Sequence, residues 1–143
     1  MKPERKIIND ELWEFANKLD EINTSISMYN VLLKDLENPL KATSYDKESS
    51  ASVNGSIVET AVILRERYNK SIEECTKKKE ICLKAFEEYI SPLKFHCKLI
   101  LRAKYIEGMN IRQIADKLNY SDDGIKVALR KSQDILYSEY HKN

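Results

Sequence analysis

Two long stripes of apolar residues constrain what this chain can fold into. In the first stripe the steps alternate between four and three residues over about four heptads, a pattern typical of a helix–helix seam. Its members are Ile8, Leu12, Phe15, Leu19, Ile22, Ile26, Tyr29, Leu33 and Leu36. The stripe predicts one long helix that ends at Asn38-Pro39, because a residue before proline disfavours α geometry.

The second stripe repeats this pattern later in the chain, with a single stutter near Tyr68. Its members are Ile57, Ala61, Leu64, Tyr68, Ile72, Cys75, Lys79, Cys82, Phe86 and Tyr89. Each stripe is too narrow to stabilise an isolated helix, so the two must bury against each other, against a second chain, or both. We predict an antiparallel hairpin that also forms a homodimer or higher homo-oligomer. The predicted oligomerisation residues are Leu12, Phe15, Leu19, Ile22, Ile26, Tyr29, Leu33 and Leu36.

A polar stretch separates the two stripes. Residues 38–56 contain five serines and few apolar residues. Such a composition is typical of a mobile linker or of a segment that a partner orders. We predict a mobile linker here, inside a helical coiled-coil and oligomerisation region that spans residues 1–91.

Residues 92–143 form the second predicted domain, an all-α unit like the rest of the chain. A helix over residues 93–107 should end at Gly108. A short amphipathic helix follows, which Asn110 can cap, and its apolar face consists of Ile111, Ile114, Ala115 and Leu118. Residues 119–121 then break the pattern, and together these features predict a helix-turn-helix.

The helix after the break has two distinct faces. Ser121 is well placed as its N-cap, and Asp122 and Asp123 suit its first turn. One stripe faces the core and consists of Ile125, Leu129, Ser132 and Leu136. The opposite face carries Lys126, Arg130 and Lys131. A basic outer face on the second helix is what docking in a DNA major groove requires.

These residues also carry a family resemblance. The run Tyr105-Ile106-Glu107-Gly108, followed by Ile114-Ala115, Leu118, Ser121, Ile125, Lys131-Ser132 and Leu136, resembles region 4 of bacterial sigma factors, which reads the promoter −35 element. The layout of nearly the whole chain is similar to the ArpU/RinA-type regulators, phage-encoded activators of late transcription in Gram-positive hosts. The chain departs from region 4 at three positions. Gly124 stands where Thr or a bulkier residue is usual, and Ala128 stands where related proteins often have Arg. Ser132 replaces the usual Ala.

The resemblance implies a set of DNA-binding residues. By position, Asp122, Asp123, Lys126 and Val127 would read bases, whereas Arg130 and Lys131 would lie nearer the phosphates. Asp123 matches a family Glu that accepts a hydrogen bond from cytosine; alternatively, both aspartates only complement the helix dipole. The complete predicted set is Arg112, Gln113, Ser121, Asp122, Asp123, Lys126, Val127, Arg130 and Lys131. Lys98, Arg102 and Lys104 would add only long-range attraction.

The charge of the chain is unevenly distributed. The formal net charge is +1, but residues 1–91 carry 14 Lys and Arg against 17 Asp and Glu, whereas residues 92–143 carry 10 against 6. The basic excess therefore coincides with the predicted DNA-binding domain. The excess is modest, so one copy should bind DNA weakly and oligomerisation would strengthen binding.

Other features limit the possible functions. No apolar run is long enough to span a bilayer, and the N-terminus lacks an apolar signal segment, so we expect a cytoplasmic protein without a membrane partner. Cys75, Cys82 and Cys97 lack CxxC spacing, which indicates reduced structural thiols, no metal site and no cofactor. No nucleophile–base pair and no glycine-rich phosphate loop is present, so we expect no catalytic residues and no enzyme.

Three functions fit these features. The first is a sequence-specific DNA-binding transcription regulator, an activator of phage or mobile-element late genes, with double-stranded DNA and host RNA polymerase as partners. The second is a DNA-packaging recognition protein of the terminase small-subunit kind. The third is an interaction module that does not bind DNA and acts on a host sigma factor or on RNA polymerase.

Overall fold

A computed structural model describes residues 2–37 and 51–142, and for residues 51–57 it describes only the backbone. Every regular element in the described part of the chain is helical, as predicted. The elements are α1 (Pro3–Leu36), α2 (Ala51–Tyr89), α3 (Phe95–Leu101), a π-helical segment (Arg102–Ile106), α4 (Ile111–Leu118) and α5 (Asp122–Tyr140).

The first two helices form the predicted long helical hairpin. They divide between two compact units, residues 1–19 with 81–143 (unit 1) and residues 20–80 (unit 2). In unit 1 the rings of Phe15 and Phe86 meet edge-on, with centroids 5.8 Å apart. In unit 2 the rings of Tyr29 and Tyr68 lie 5.9 Å apart. Both pairs belong to the two apolar stripes, so the stripes pack against each other within one chain.

Burial along the hairpin follows the predicted periodicity. All nine members of the first stripe are buried or half-buried, and so are the nine described side chains of the second, including those after the stutter near Tyr68. Leu12 and Leu19, which we predicted as oligomerisation residues, are buried within the chain itself. They are corrected to core residues, because a heptad stripe does not distinguish a partner in the same chain from one in another. The remaining six predicted oligomerisation residues are half-buried.

The described core lies in unit 1. It joins α1 and α2 residues such as Ile8 and Phe86 to the C-terminal helices through Ile100, Ile114 and Leu136, all at most 1% exposed. The described side chains of unit 2 are all half-buried or exposed. Since hydrophobic stabilisation grows with the apolar area buried, unit 1 holds most of that stabilisation among the described residues.

The compact units do not follow the boundary that we predicted between residues 91 and 92. The first half of α1 and the end of α2 pack with the C-terminal helices. Local periodicity identifies the buried face of a helix but not which distant helix covers it, so the boundary could not be read from the stripes.

The predicted linker is also shorter than expected. Residues 51–56 are helical and belong to α2, because a helix that has already formed extends through weak helix formers at little cost. The rest of the predicted linker, residues 38–50, lies outside the described residues.

The helix that supports α4 and α5 differs from the prediction for residues 93–107. It begins at Phe95, and its second half is the π-helical segment. Glu107 donates its backbone N–H to the carbonyl of Arg102, and Met109 donates to that of Ala103. Gly108, at φ 71°, ends the segment as predicted, and this left-handed conformation favours glycine.

Candidate nucleic-acid interface

The start of α4 is fixed by a reciprocal pair of hydrogen bonds. The backbone N–H of Gln113 donates to Asn110 Oδ1 at 2.8 Å, and the backbone N–H of Asn110 donates to Gln113 Oε1 at 2.9 Å. This capping box satisfies two donors at the helix start and confirms the predicted cap at Asn110. The side-chain carbonyl of Gln113 is therefore engaged, which leaves only its amide NH₂ for the contact with DNA that we predicted.

Three residues connect α4 to α5. Asn119 takes the left-handed conformation, at φ 59°, which Asn tolerates better than most residues. Tyr120 then donates its backbone N–H to the carbonyl of Ala115 at 2.9 Å, and Ser121 Oγ accepts from the backbone N–H of Gly124 at 3.0 Å. Ser121 is the N-cap of α5, as predicted, and α5 starts at once after a short turn.

Gly124 leaves room for that cap. A Cβ at this position would lie 3.1 Å from Ser121 Oγ and 3.9 Å from the ring of Tyr120. The first distance is shorter than an ordinary van der Waals contact, so the side chain of a larger residue would crowd the capping hydroxyl. This crowding is a physical reason for glycine early in α5, despite its low helix propensity.

The two faces of α5 differ as predicted. The inward face is buried and includes Ile125, Ala128, Leu129, Ser132 and Leu136. Ser132 donates its hydroxyl to the carbonyl of Ala128 at 2.7 Å, so its buried oxygen is satisfied. The outward face is exposed and carries Asp122, Asp123, Lys126, Val127, Arg130 and Lys131. The structure therefore brings the predicted base-reading and phosphate residues of α5 together on one accessible surface.

The cations of this surface have no ion-pair partner among the described residues. Within the described part of the chain, the ion pairs near α4 and α5 are Lys117 with Glu107 and Asp134 with Arg5, and His141 contacts Glu11. Lys126, Arg130 and Arg112 take part in none of them. Unpaired exposed cations on the two neighbouring helices α4 and α5 are suited to bind an anionic backbone.

The first half of α1 holds α5 in place. Arg5 donates to both carboxylate oxygens of Asp134 at 2.9 Å, which holds the pKa of Asp134 below its usual range. Just beyond the C-terminal end of α5, His141 Nε2 lies 2.6 Å from Glu11 Oε1. The sequence gives no local signal for these contacts, because the partners are far apart along the chain.

Arg102 has a partner that the sequence did not predict. It makes a two-pronged ion pair with Glu87, at 2.5 Å for each contact. Glu87 raises the pKa of Arg102, and Arg102 lowers the pKa of Glu87. The pair joins α2 to the π-helical segment, so Arg102 has a carboxylate partner, unlike Arg112 and Lys126.

A cleft of about 640 Å³, which the sequence did not predict, lies in unit 1 beside the starts of α4 and α5. Its walls include Trp13, Lys104, Met109, Arg112, Asp122 and Lys126. Three cationic side chains therefore share this space with one carboxylate. The cleft reaches the predicted interface through Arg112 and Lys126 and extends it toward α1.

Lys104 has an unusual environment for a lysine. It is half-buried, and burial lowers its pKa. Its Nζ lies 5.3 Å from the centre of the Tyr105 ring. No described carboxylate lies within ion-pair distance of it.

No described helix is both long and apolar enough to cross a membrane. No cluster of three or more described His, Cys, Asp or Glu side chains could hold a metal ion.

Comparison of the chain with family models, with curated proteins and with solved structures finds no match.

Proposed function

We propose that this protein is a sequence-specific DNA-binding transcription regulator, an activator of phage or mobile-element late genes. In this proposal α4 and α5 form a sigma region 4-like helix-turn-helix, and α5 lies in the major groove. Host RNA polymerase is the second partner in this proposal, as the resemblance of α4 and α5 to sigma region 4 implies.

One observation carries the proposal. The outward face of α5 presents Lys126, Val127 and Arg130 to solvent, while its inward face is sealed in the core of unit 1. A helix with an exposed, cationic outer face near its start can place side chains against base edges and against phosphates at the same time. The capped turn before α5 fixes where that face begins.

The two aspartates add a specific expectation. Asp122 and Asp123 occupy the first turn of α5 and are exposed. Carboxylates close to DNA repel phosphates, but one that accepts a hydrogen bond from a cytosine amine contributes to sequence readout. Asp123 is our candidate for that contact, whereas Asp122 lines the cleft beside Arg112 and Lys126.

Selection from a pool of random DNA duplexes tests the proposal. The full chain should enrich one short motif, and the double variant Lys126→Ala/Arg130→Ala should enrich none. A matched control, Lys84→Ala/Lys94→Ala, removes two exposed lysines that lie outside α4 and α5 and should enrich the same motif as the unmodified chain. Failure of the unmodified chain to enrich any motif would contradict sequence-specific binding.

Native mass spectrometry separates this proposal from DNA packaging. A dimer agrees with a regulator that binds paired half-sites. A closed ring of about eight or more subunits is what a packaging protein would form, and it would contradict the proposal.

A further inference from the structure

We propose that the cleft between α1 and the starts of α4 and α5 binds a phosphate of the DNA backbone, with Lys104 and Arg112 as its cationic ligands and Trp13 as one wall. The inference rests on the proposed DNA binding and deepens it. It adds a ligand from the π-helical segment and a wall from the N-terminal hairpin to an interface otherwise formed by α4 and α5.

The composition of the cleft favours an anion. Lys104, Arg112 and Lys126 converge on it, and the only carboxylate among its lining residues is Asp122. None of the three cations has an ion-pair partner among the described residues. Three cations against one carboxylate leave the cleft with a net positive charge, and a bound phosphate would offset that charge.

Lys104 is the most informative member of the cleft. Partial burial without a partner carboxylate penalises its charge in the free protein, and the lowered pKa agrees with this. A phosphate in the cleft would supply the missing counter-charge. Because the ammonium is already partly desolvated, its attraction to a phosphate is stronger than that of a lysine in open solvent.

Location identifies DNA as the source of the phosphate. Lys126 belongs both to the cleft and to the outward face of α5. A duplex that follows α5 therefore passes the mouth of the cleft. Arg112 at the start of α4 lies on the same path, where the first helix of a helix-turn-helix crosses the backbone.

Trp13 makes the inference directly measurable. It is the single tryptophan of the chain, it is 39% exposed, and it lines the cleft. Its intrinsic fluorescence therefore reports on the surroundings of this one side chain, without any label. A phosphate bound beside it should change the intensity or wavelength of its emission.

The experiment titrates the full chain with a mixed-sequence duplex of about 20 base pairs, long enough for two turns of DNA. Binding is measured by anisotropy of a labelled duplex at several salt concentrations, and Trp13 emission is recorded in parallel. The variants are Lys104→Gln, Lys104→Arg and the control Lys84→Gln, an exposed lysine of unit 1 outside the cleft. Circular dichroism checks that each variant is folded, and Arg112→Gln provides a second test at an exposed position.

We expect the duplex to change Trp13 emission over the same concentration range in which anisotropy rises. Lys104→Gln and Arg112→Gln should each make the slope of log affinity against log salt shallower by about 0.9, the contribution of one phosphate contact. Lys104→Arg should keep the original slope because the charge remains, and Lys84→Gln should match the unmodified chain.

Three results would overturn the inference and leave the proposed function intact. One is duplex binding without a change in Trp13 emission. Another is an unchanged salt slope in both Lys104→Gln and Arg112→Gln. A Trp13 response to inorganic phosphate without a response to the duplex would also overturn it, since the cleft would then take a small phosphate compound. If the unmodified chain binds no duplex at any salt concentration, the proposed function fails as well.

Discussion

Trp13 on α1 packs edge-on against Tyr105 in the π-helical segment, with ring centroids 4.9 Å apart. One turn earlier on α1, Asn9 accepts the hydroxyl of Tyr105 at 2.6 Å. These two contacts make the beginning of the chain part of the unit that carries the candidate DNA surface. Changes in α1 should therefore affect that surface as well as the hairpin.

Tyr105 should make unit 1 sensitive to alkaline pH. Burial raises the pKa of Tyr105 to about 12, above the value of about 10 for an unfolded tyrosine. Its contribution to stability is therefore complete below pH 10 and is lost as the pH rises from about 10 to 12. Tyr105→Phe cannot ionise and should flatten the decline of the thermal midpoint across this range. The control is Tyr120→Phe, at an exposed position, and an equal decline in both variants would contradict this prediction.

Ser121 and Gly124 should be energetically coupled. Ser121→Ala removes the cap and should cost about 1 kcal/mol of unfolding free energy. Gly124→Ala should gain little alone, because its Cβ would crowd the capping hydroxyl. In the Ser121→Ala background the crowding is gone, and the same change should stabilise by about 1 kcal/mol through helix propensity. Chemical denaturation of all four proteins measures the coupling, and strict additivity would show that the contact carries no energy.

Asp123 and Asp122 should have separable roles in DNA binding. Asp123→Ala should relax specificity at one base position by about 1–3 kcal/mol while non-specific affinity stays level or rises. Asp122→Ala should leave the enriched motif unchanged and raise non-specific affinity, because a carboxylate leaves the cleft. Selection from random duplexes with each variant compares the two. An unchanged motif for Asp123→Ala would show that this side chain reads no base and only interacts favourably with the helix dipole.

The seam of unit 2 should tolerate a charge far less well than its outer face. Ile22 is half-buried, whereas Val31 on the same helix is 60% exposed. Ile22→Asp should cost about 2–3 kcal/mol, because a charge would enter the apolar seam without a partner. Val31→Asp should change stability by less than about 0.5 kcal/mol. Thermal melts followed by circular dichroism rank the two variants. The reverse ranking would mean that the exposed face, and not the seam, is the stabilising contact.

Local sequence signals predicted much of the fold. The heptad steps identified the buried faces of α1 and α2, including the stutter near Tyr68, because periodicity depends only on helix geometry. Asn110, Ser121 and Gly108 marked helix boundaries through their own backbone preferences, which neighbouring residues do not override here. The exposed face of α5 also followed from spacing alone.

The features that the sequence did not reveal depend on distant contacts. The cleft combines Trp13 from α1 with Lys104 and Arg112 from much later in the chain, and no local pattern links them. The π-helical segment has no characteristic amino-acid composition, because packing and not helix propensity accommodates the extra residue per turn. The ion pair between Arg102 and Glu87 likewise joins residues of different helices, so local periodicity does not predict it.

The most direct test of the account is the salt dependence of DNA binding through α5. Equilibrium affinity for the duplex enriched by selection should be measured across salt concentrations for the full chain, Lys126→Ala, Arg130→Ala and the control Lys84→Ala. We predict that Lys126→Ala and Arg130→Ala each weaken binding and make the log–log salt slope shallower by about 0.9, while the control matches the unmodified chain. Unchanged affinity and slope in both α5 variants would show that this face does not dock on DNA.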